Sequence, residues 1–118
     1  MSRDPGLYLQ DILDAAAKLE TVLQGLDLAE FSEDWRVRDV VLRNLEVIGE
    51  AVKRLPSSLK AEIPDVPWKR LADFRDILVH AYFSVDDAIV FDVASHEIPA
   101  LALASQELLQ RIDALPGR

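Results

Sequence analysis

The stretch Asp34-Trp-Arg-Val37-Arg-Asp-Val-Val41-Leu-Arg-Asn44-Leu-Glu-Val-Ile48-Gly-Glu-Ala51-Val-Lys-Arg-Leu55 decides the fold. Val37, Val41, Asn44, Ile48, Ala51 and Leu55 recur at three- and four-residue intervals, which puts them on one side of a 3.6-residue helix. A helix with one apolar stripe must bury that stripe against other elements. Pro56-Ser-Ser stops the pattern, because proline cannot continue a helical hydrogen-bond ladder.

The same grammar extends upstream. Asp4 is placed as an N-cap and Pro5 at the first helical position, and Leu9, Ile12, Ala16, Leu19 and Leu23 form the next apolar stripe, ended by Gly25. A short connection containing Phe31 joins the two helices. Downstream, a helical turn near Leu59 to Ile63 leads into the rigid connector Pro64-Asp-Val-Pro67, and Pro67 opens a third helix at Trp68. That helix is expected to bury Trp68, Leu71, Phe74 or Arg75, Leu78 and Tyr82 and to end near Phe83. Ser84 with Asp87 reads as a capping box for a last helix over Val85 to about Leu115, which Pro99 is expected to kink or split. The pattern predicts an all-α fold, a four- to five-helix antiparallel bundle, as one domain over 1–118.

Composition narrows the function. Charges are read as interrupting every apolar run short of the roughly 18 residues a membrane span requires. Met1-Ser-Arg-Asp-Pro-Gly enters a helix without the apolar stretch of a secretory signal, and the chain has no cysteine for disulfides or thiolate metal sites. A cytoplasmic protein without membrane partners is expected. The net charge of −8 argues against nucleic-acid binding by bulk electrostatics. Residues 36–75 nevertheless hold nine Lys/Arg against six acids, so either a local cationic surface or ordinary pairing along helix surfaces accounts for them.

Two histidines are present, and His80 has the richer surroundings: Arg75 five residues before it, Asp76 four before it and Tyr82 two after it. On a straight helix Asp76 and His80 share a face, so the carboxylate is a candidate to orient the imidazole, and Arg75 and Tyr82 share another. Arg75 and His80 are separated by roughly 140° of turn and about 7.5 Å of rise. Joint action on one phosphate therefore needs a helix that ends or bends near His80, a long reach by the arginine, or a second copy across a dyad. Guanidinium holds phosphate oxygens in a fork and stabilises a phosphorane, while imidazole moves the proton of an attacking ribose 2′-hydroxyl. No metal cage, P-loop or nucleophile motif accompanies the pair, so neither metal nor cofactor is expected. The residues alone equally allow His80 as a helix-end histidine paired with Asp76, and Tyr82 as a core aromatic. His96 lies on a stripe with Ile89, Val93, Ala100 and Leu103 and reads as a core histidine. Asn44, inside an apolar stripe, needs a partner, either in packing or in support of the site. Trp35 and Trp68 read as core or interface anchors.

The segments Arg43-Asn-Leu-Glu-Val-Ile-Gly-Glu-Ala51, Val66-Pro-Trp68 and Arg75-Asp-Ile-Leu-Val-His80-Ala-Tyr82 together resemble the HEPN-domain family of HepT-like toxins, over nearly the whole chain. The hallmark R-x-x-x-x-H-x-Y, with a polar residue after the arginine, is matched by Arg75, Asp76, His80 and Tyr82. The resemblance implies a homodimeric helical bundle that acts as a metal-independent endoribonuclease toxin of a toxin–antitoxin pair. Arg75 and His80 would be catalytic at the dimer cleft; Asp76 is the motif's polar residue in support, and Asn44 stays a candidate support from its own place in the apolar stripe. The implied partners are RNA and a cognate nucleotidyltransferase antitoxin, in a homodimer or a higher heteromeric complex. The antitoxin would silence the site by AMPylation of Tyr82. The alternative it implies is a non-catalytic nucleotide- or substrate-binding subunit of a nucleotidyltransferase.

Overall fold

The computed structural model describes residues 3–81 and 84–117. Helix α1 (Pro5–Leu23) starts where the Asp4 carboxylate accepts from the Gly6 N–H at 2.8 Å, and it ends before Gly25, whose φ of +78° favours glycine. The segment expected as a plain connection contains helix α2 (Leu28–Glu33). Asp27 and Glu30 satisfy each other's backbone N–H groups at 2.8 and 3.1 Å, a capping box. The turn it opens sends Phe31 fully into the core, 5.5 Å from the ring of Phe91.

Helix α3 (Trp35–Arg54) is capped by Asp34, which accepts from the N–H groups of Arg36 and Val37. The one-turn α4 (Ser57–Lys60) and the proline connector lead to α5 (Trp68–His80). That helix stops three residues before the expected Phe83. The Ala81 N–H still bonds the Ile77 carbonyl at 2.8 Å, but its ψ of 36° takes the chain out of the helix.

The last helix is continuous in three parts: α6 (Asp87–Asp92), a π-helical turn (Val93–Glu97) and α7 (Ile98–Asp113). Its cap is Asp86, which accepts from the Ala88 N–H, and not Ser84, whose hydroxyl donates to the Ala81 carbonyl. Pro99 does not split the helix. Its missing N–H and bulky ring are accommodated by the wider turn just before it, where the Ile98 N–H donates five residues back to Val93.

Helix α1 packs against both α3 and α7, and α3 packs against α5. Leu9, Ile12, Leu19, Val41, Ile48, Leu78, Leu101 and Leu108 lie in the shared core, each fully buried apolar side chain contributing on the order of 1.5–3 kcal/mol. The α5 side is joined to the last helix by an Arg70–Glu97 ion pair and by Leu71 and Phe74 facing Ile89 and Val93 across a shallow groove. Among the described residues there is no strand.

The last helix corrects two expectations. Its buried stripe is Val90, Ala94, Ile98, Leu101, Ser105 and Leu108, whereas Leu103 and Ile89 are exposed. His96 accordingly faces solvent and pairs through Nδ1 with Asp92 Oδ1 at 3.0 Å, so it is not a core histidine. The helix spans 27 residues and contains an 18-residue window of mean hydropathy 1.3, long and apolar enough by length and composition to cross a membrane. Part of that apolar surface is the stripe packed against α1.

Candidate functional site

A glycine in a helix interior marks a place where another backbone comes close. Gly49, on α3, does this for α5: a Cβ placed on it would lie 2.2 Å from the Cβ of Arg75. The crossing delivers Arg75 to the α3 surface, where the carboxylate of Glu50 stands 3.4 Å from its Nε. Arg75 Nη1 donates to Asp76 Oδ1 at 3.0 Å. Glu50 also accepts from Arg54 at 3.0 Å, so Arg54, Glu50, Arg75 and Asp76 form one chain of alternating charge.

With two carboxylates engaging Nε and Nη1, the guanidinium plane is oriented before any ligand arrives, while Nη2 enters none of the bonds among the described residues. Arg75 also lines a cleft of about 280 Å³ with Arg3, Tyr8, Arg43 and Glu46. There Arg3 bonds Asp11 at 2.6 Å and lies 4.8 Å over the Tyr8 ring.

His80 is the last residue of α5 and is exposed. The helix therefore ends at His80, one of the conditions under which Arg75 and His80 can serve a common group. Among the described residues Asp76 accepts its hydrogen bond from Arg75 and not from the imidazole. That bond, reinforced by the positive charges of Lys53 and His80, holds the Asp76 carboxyl below the usual carboxylate range against a partial desolvation.

Asn44 is buried, and its amide donates to the Val40 carbonyl of its own helix at 2.8 Å. Gly49 and Glu50 beside Arg75, and Lys53 beside Ala72, set an antiparallel register that brings Asn44 level with His80. Tyr82 and Phe83 lie outside the described residues. The expected shared face of residues 75 and 82 therefore also lies outside the described residues.

Trp68 is a core residue, its Nε1 donating to the Ile63 carbonyl at 2.9 Å. Trp35 is not: it is 68% exposed, under the Arg36 guanidinium. Val40, Ile77 and Val79 are also exposed, the latter two on either side of Leu78 just before His80. Among the cations between residues 36 and 75, at least five lie in ion pairs: Arg38 with Asp87, Arg54 with Glu50, Lys69 with Asp73, Arg70 with Glu97, and Arg75 with its two partners. Sequence reasoning overlooked Gly49, Glu50 and Lys53 as parts of this site. The mid-helix glycine was the available signal for the first.

An oriented arginine and a helix-end histidine on an all-helical bundle define a domain suited to phosphodiester chemistry by side chains. The chain belongs to the ribonuclease HepT-like family, whose profile matches residues 12–108. It is 37% identical to "Probable ribonuclease HepT" of Thermococcus cleftensis, over 86% of this chain and 92% of that one. It is 35% identical to "Putative RNase MJ0125" of Methanocaldococcus jannaschii, over 94% and 96%, and 37% identical to "Putative RNase TTE0752" of Caldanaerobacter subterraneus, over 92% and 97%. No solved structure matches the chain.

Proposed function

We propose that the chain is a cytoplasmic endoribonuclease toxin of a toxin–antitoxin pair, with Arg75 and His80 as its catalytic residues. The observation that carries this reading is the Glu50–Arg75–Asp76 arrangement beside a helix that ends at His80. In the reaction the imidazole takes the proton of a ribose 2′-hydroxyl as its oxygen bonds to the adjacent phosphorus. The arginine stabilises the pentacoordinate charge, and the 5′-oxygen leaves with a proton, giving a 2′,3′-cyclic phosphate and a 5′-hydroxyl. None of these steps routes a proton or charge through a metal ion.

The exposed Ile77 and Val79 just before His80 suit an isologous contact with a second copy, which would bring two Arg75–His80 pairs to one cleft. Asp76 serves as a positioning residue for Arg75, and Asn44 supports the site from within α3, bonded to Val40. The cognate nucleotidyltransferase would silence the site by letting the Tyr82 oxygen attack the α-phosphorus of ATP, with pyrophosphate leaving.

The test is purified protein with a single-stranded RNA in EDTA. Cleavage to cyclic-phosphate ends, lost in Arg75→Ala and in His80→Ala while the helical signal is kept, is the expected result. A dimeric protein that binds nucleotides and leaves RNA intact would instead make it the binding subunit of a nucleotidyltransferase, a reading consistent with Arg75 already engaged by two carboxylates.

A further inference from the structure

Beyond Arg75 and His80, the face of α5 that carries Asp76 and His80 continues toward its N-terminus through Ala72 and Lys69, at helical intervals of three and four. There it opens into a groove of about 420 Å³ between the end of α3, α4 and the start of α5. Three lysines, Lys53, Lys60 and Lys69, line it together with Ser57, Pro64 and Trp68, and no acidic residue is among the lining. In a chain of net charge −8 this is a local reversal of sign.

The three ammonium groups are placed differently. Lys60 Nζ donates to the Val52 carbonyl at 3.3 Å, which holds its charge over the exit of α3. Lys69 pairs with Asp73 at 2.7 Å, but both side chains are largely exposed, and such a pair yields readily to a competing phosphate. Lys53 lies between this groove and the site, near enough to Asp76 for its charge to be felt there. From Lys69 to His80 is eleven residues of helix, about 16 Å, which an extended strand covers in a few nucleotides.

We propose that the Lys53–Lys60–Lys69 groove binds the backbone phosphates of a single RNA strand that continues from the Arg75–His80 site. The assignment rests on the ribonuclease reading above for its direction, and on charge and continuity for its chemistry. Lysines, as point charges, fit a backbone read without sequence preference. Trp68 offers no stacking platform, since its ring is buried and its N–H is spent on Ile63. The groove therefore adds affinity and not base selectivity.

The experiment uses the full chain carrying His80→Ala, so that the probe survives, and a labelled twelve-nucleotide single-stranded RNA followed by anisotropy across a salt series. Single-strand binding loses about 0.7 in the slope of log K against log salt for each phosphate contact removed. Lys53→Gln, Lys60→Gln and Lys69→Gln together are expected to flatten the slope by about 2 and to weaken binding at low salt at least tenfold. Lys53→Arg with Lys69→Arg should retain the slope, and Lys53→Gln with Lys69→Gln, which spares the Lys60–Val52 bond, should flatten it by about 1.4.

An unchanged slope in the folded glutamine variants, or no binding of the RNA before they are made, overturns the proposal. So does a groove whose glutamine variants bind RNA normally but lose an acidic protein partner. Cleavage of the same RNA by the unmodified chain reports separately on the catalytic reading: intact RNA with a lysine-dependent slope would sink that reading and leave the groove standing.

Discussion

Gly49 and Arg75 meet at the crossing of α3 and α5 so closely that a Cβ on the glycine would stand 2.2 Å from the arginine's own Cβ. Backbone contact at this point is what aims the guanidinium at Glu50.

Gly49→Ala therefore tests the crossing. Alanine gains about 1 kcal/mol in helix propensity, but overpacking a close contact costs about 1–3 kcal/mol and pushes α5 outward. The expected outcome is a lower midpoint of thermal unfolding together with weaker RNA cleavage. A raised midpoint would show that the two helices have room to spare.

Asp76→Asn removes the carboxylate that accepts from Arg75. The folded-state value of Asp76 is depressed, chiefly by that hydrogen bond, so its contribution to stability is present above the unfolded value of about 3.9 and is lost as pH falls through the folded one. Unfolding midpoints of the two proteins should differ at neutral pH and converge in acid, below about pH 4. A difference that persisted or grew in acid would contradict the assignment.

Arg75→Lys keeps the charge and loses the planar fork. If Glu50 and Asp76 orient a guanidinium for a phosphorane, the cleavage rate should drop by about 10²-fold with the melting curve little changed. Equal rates for lysine and arginine would reduce the residue to a simple counter-charge.

Leu78→Ala probes the docking of α5 itself. The side chain is fully buried two residues before His80, and a Leu→Ala change in such a place costs about 2–5 kcal/mol. Urea denaturation should show the loss as a lower midpoint with an unchanged slope.

Much of this architecture is written in short-range signals. The caps Asp4 and Asp34, the stops at Gly25 and Pro56, and the opening at Pro67 each act within a turn of the residue that carries them, so helices α1, α3 and α5 are readable to within a few residues. Even α2 is legible, in the Asp27–Glu30 capping box. The R-x-x-x-x-H-x-Y spacing likewise picked out Arg75 and His80, because a motif on one helix is local too.

The last helix shows where local signals stop. It is apolar on two sides, and the exposed Ile89, Ala100 and Leu103 recur with Val93 as regularly as the stripe that is buried. Only packing against α1, with the π turn before Pro99 shifting the phase, turned His96 to solvent.

The partners of Arg75 were decided the same way. By itself the sequence determined where the long helices run and which spacing singles out Arg75 and His80 as candidates, because those depend on neighbours within a few positions along the chain. Tertiary structure alone decided that Asp76 turns to Arg75, that Glu50 joins it from α3, and that three lysines from α3, α4 and α5 face one groove. Those relations depend on how close two helices can approach, and that distance is set by Gly49 and the core beneath it.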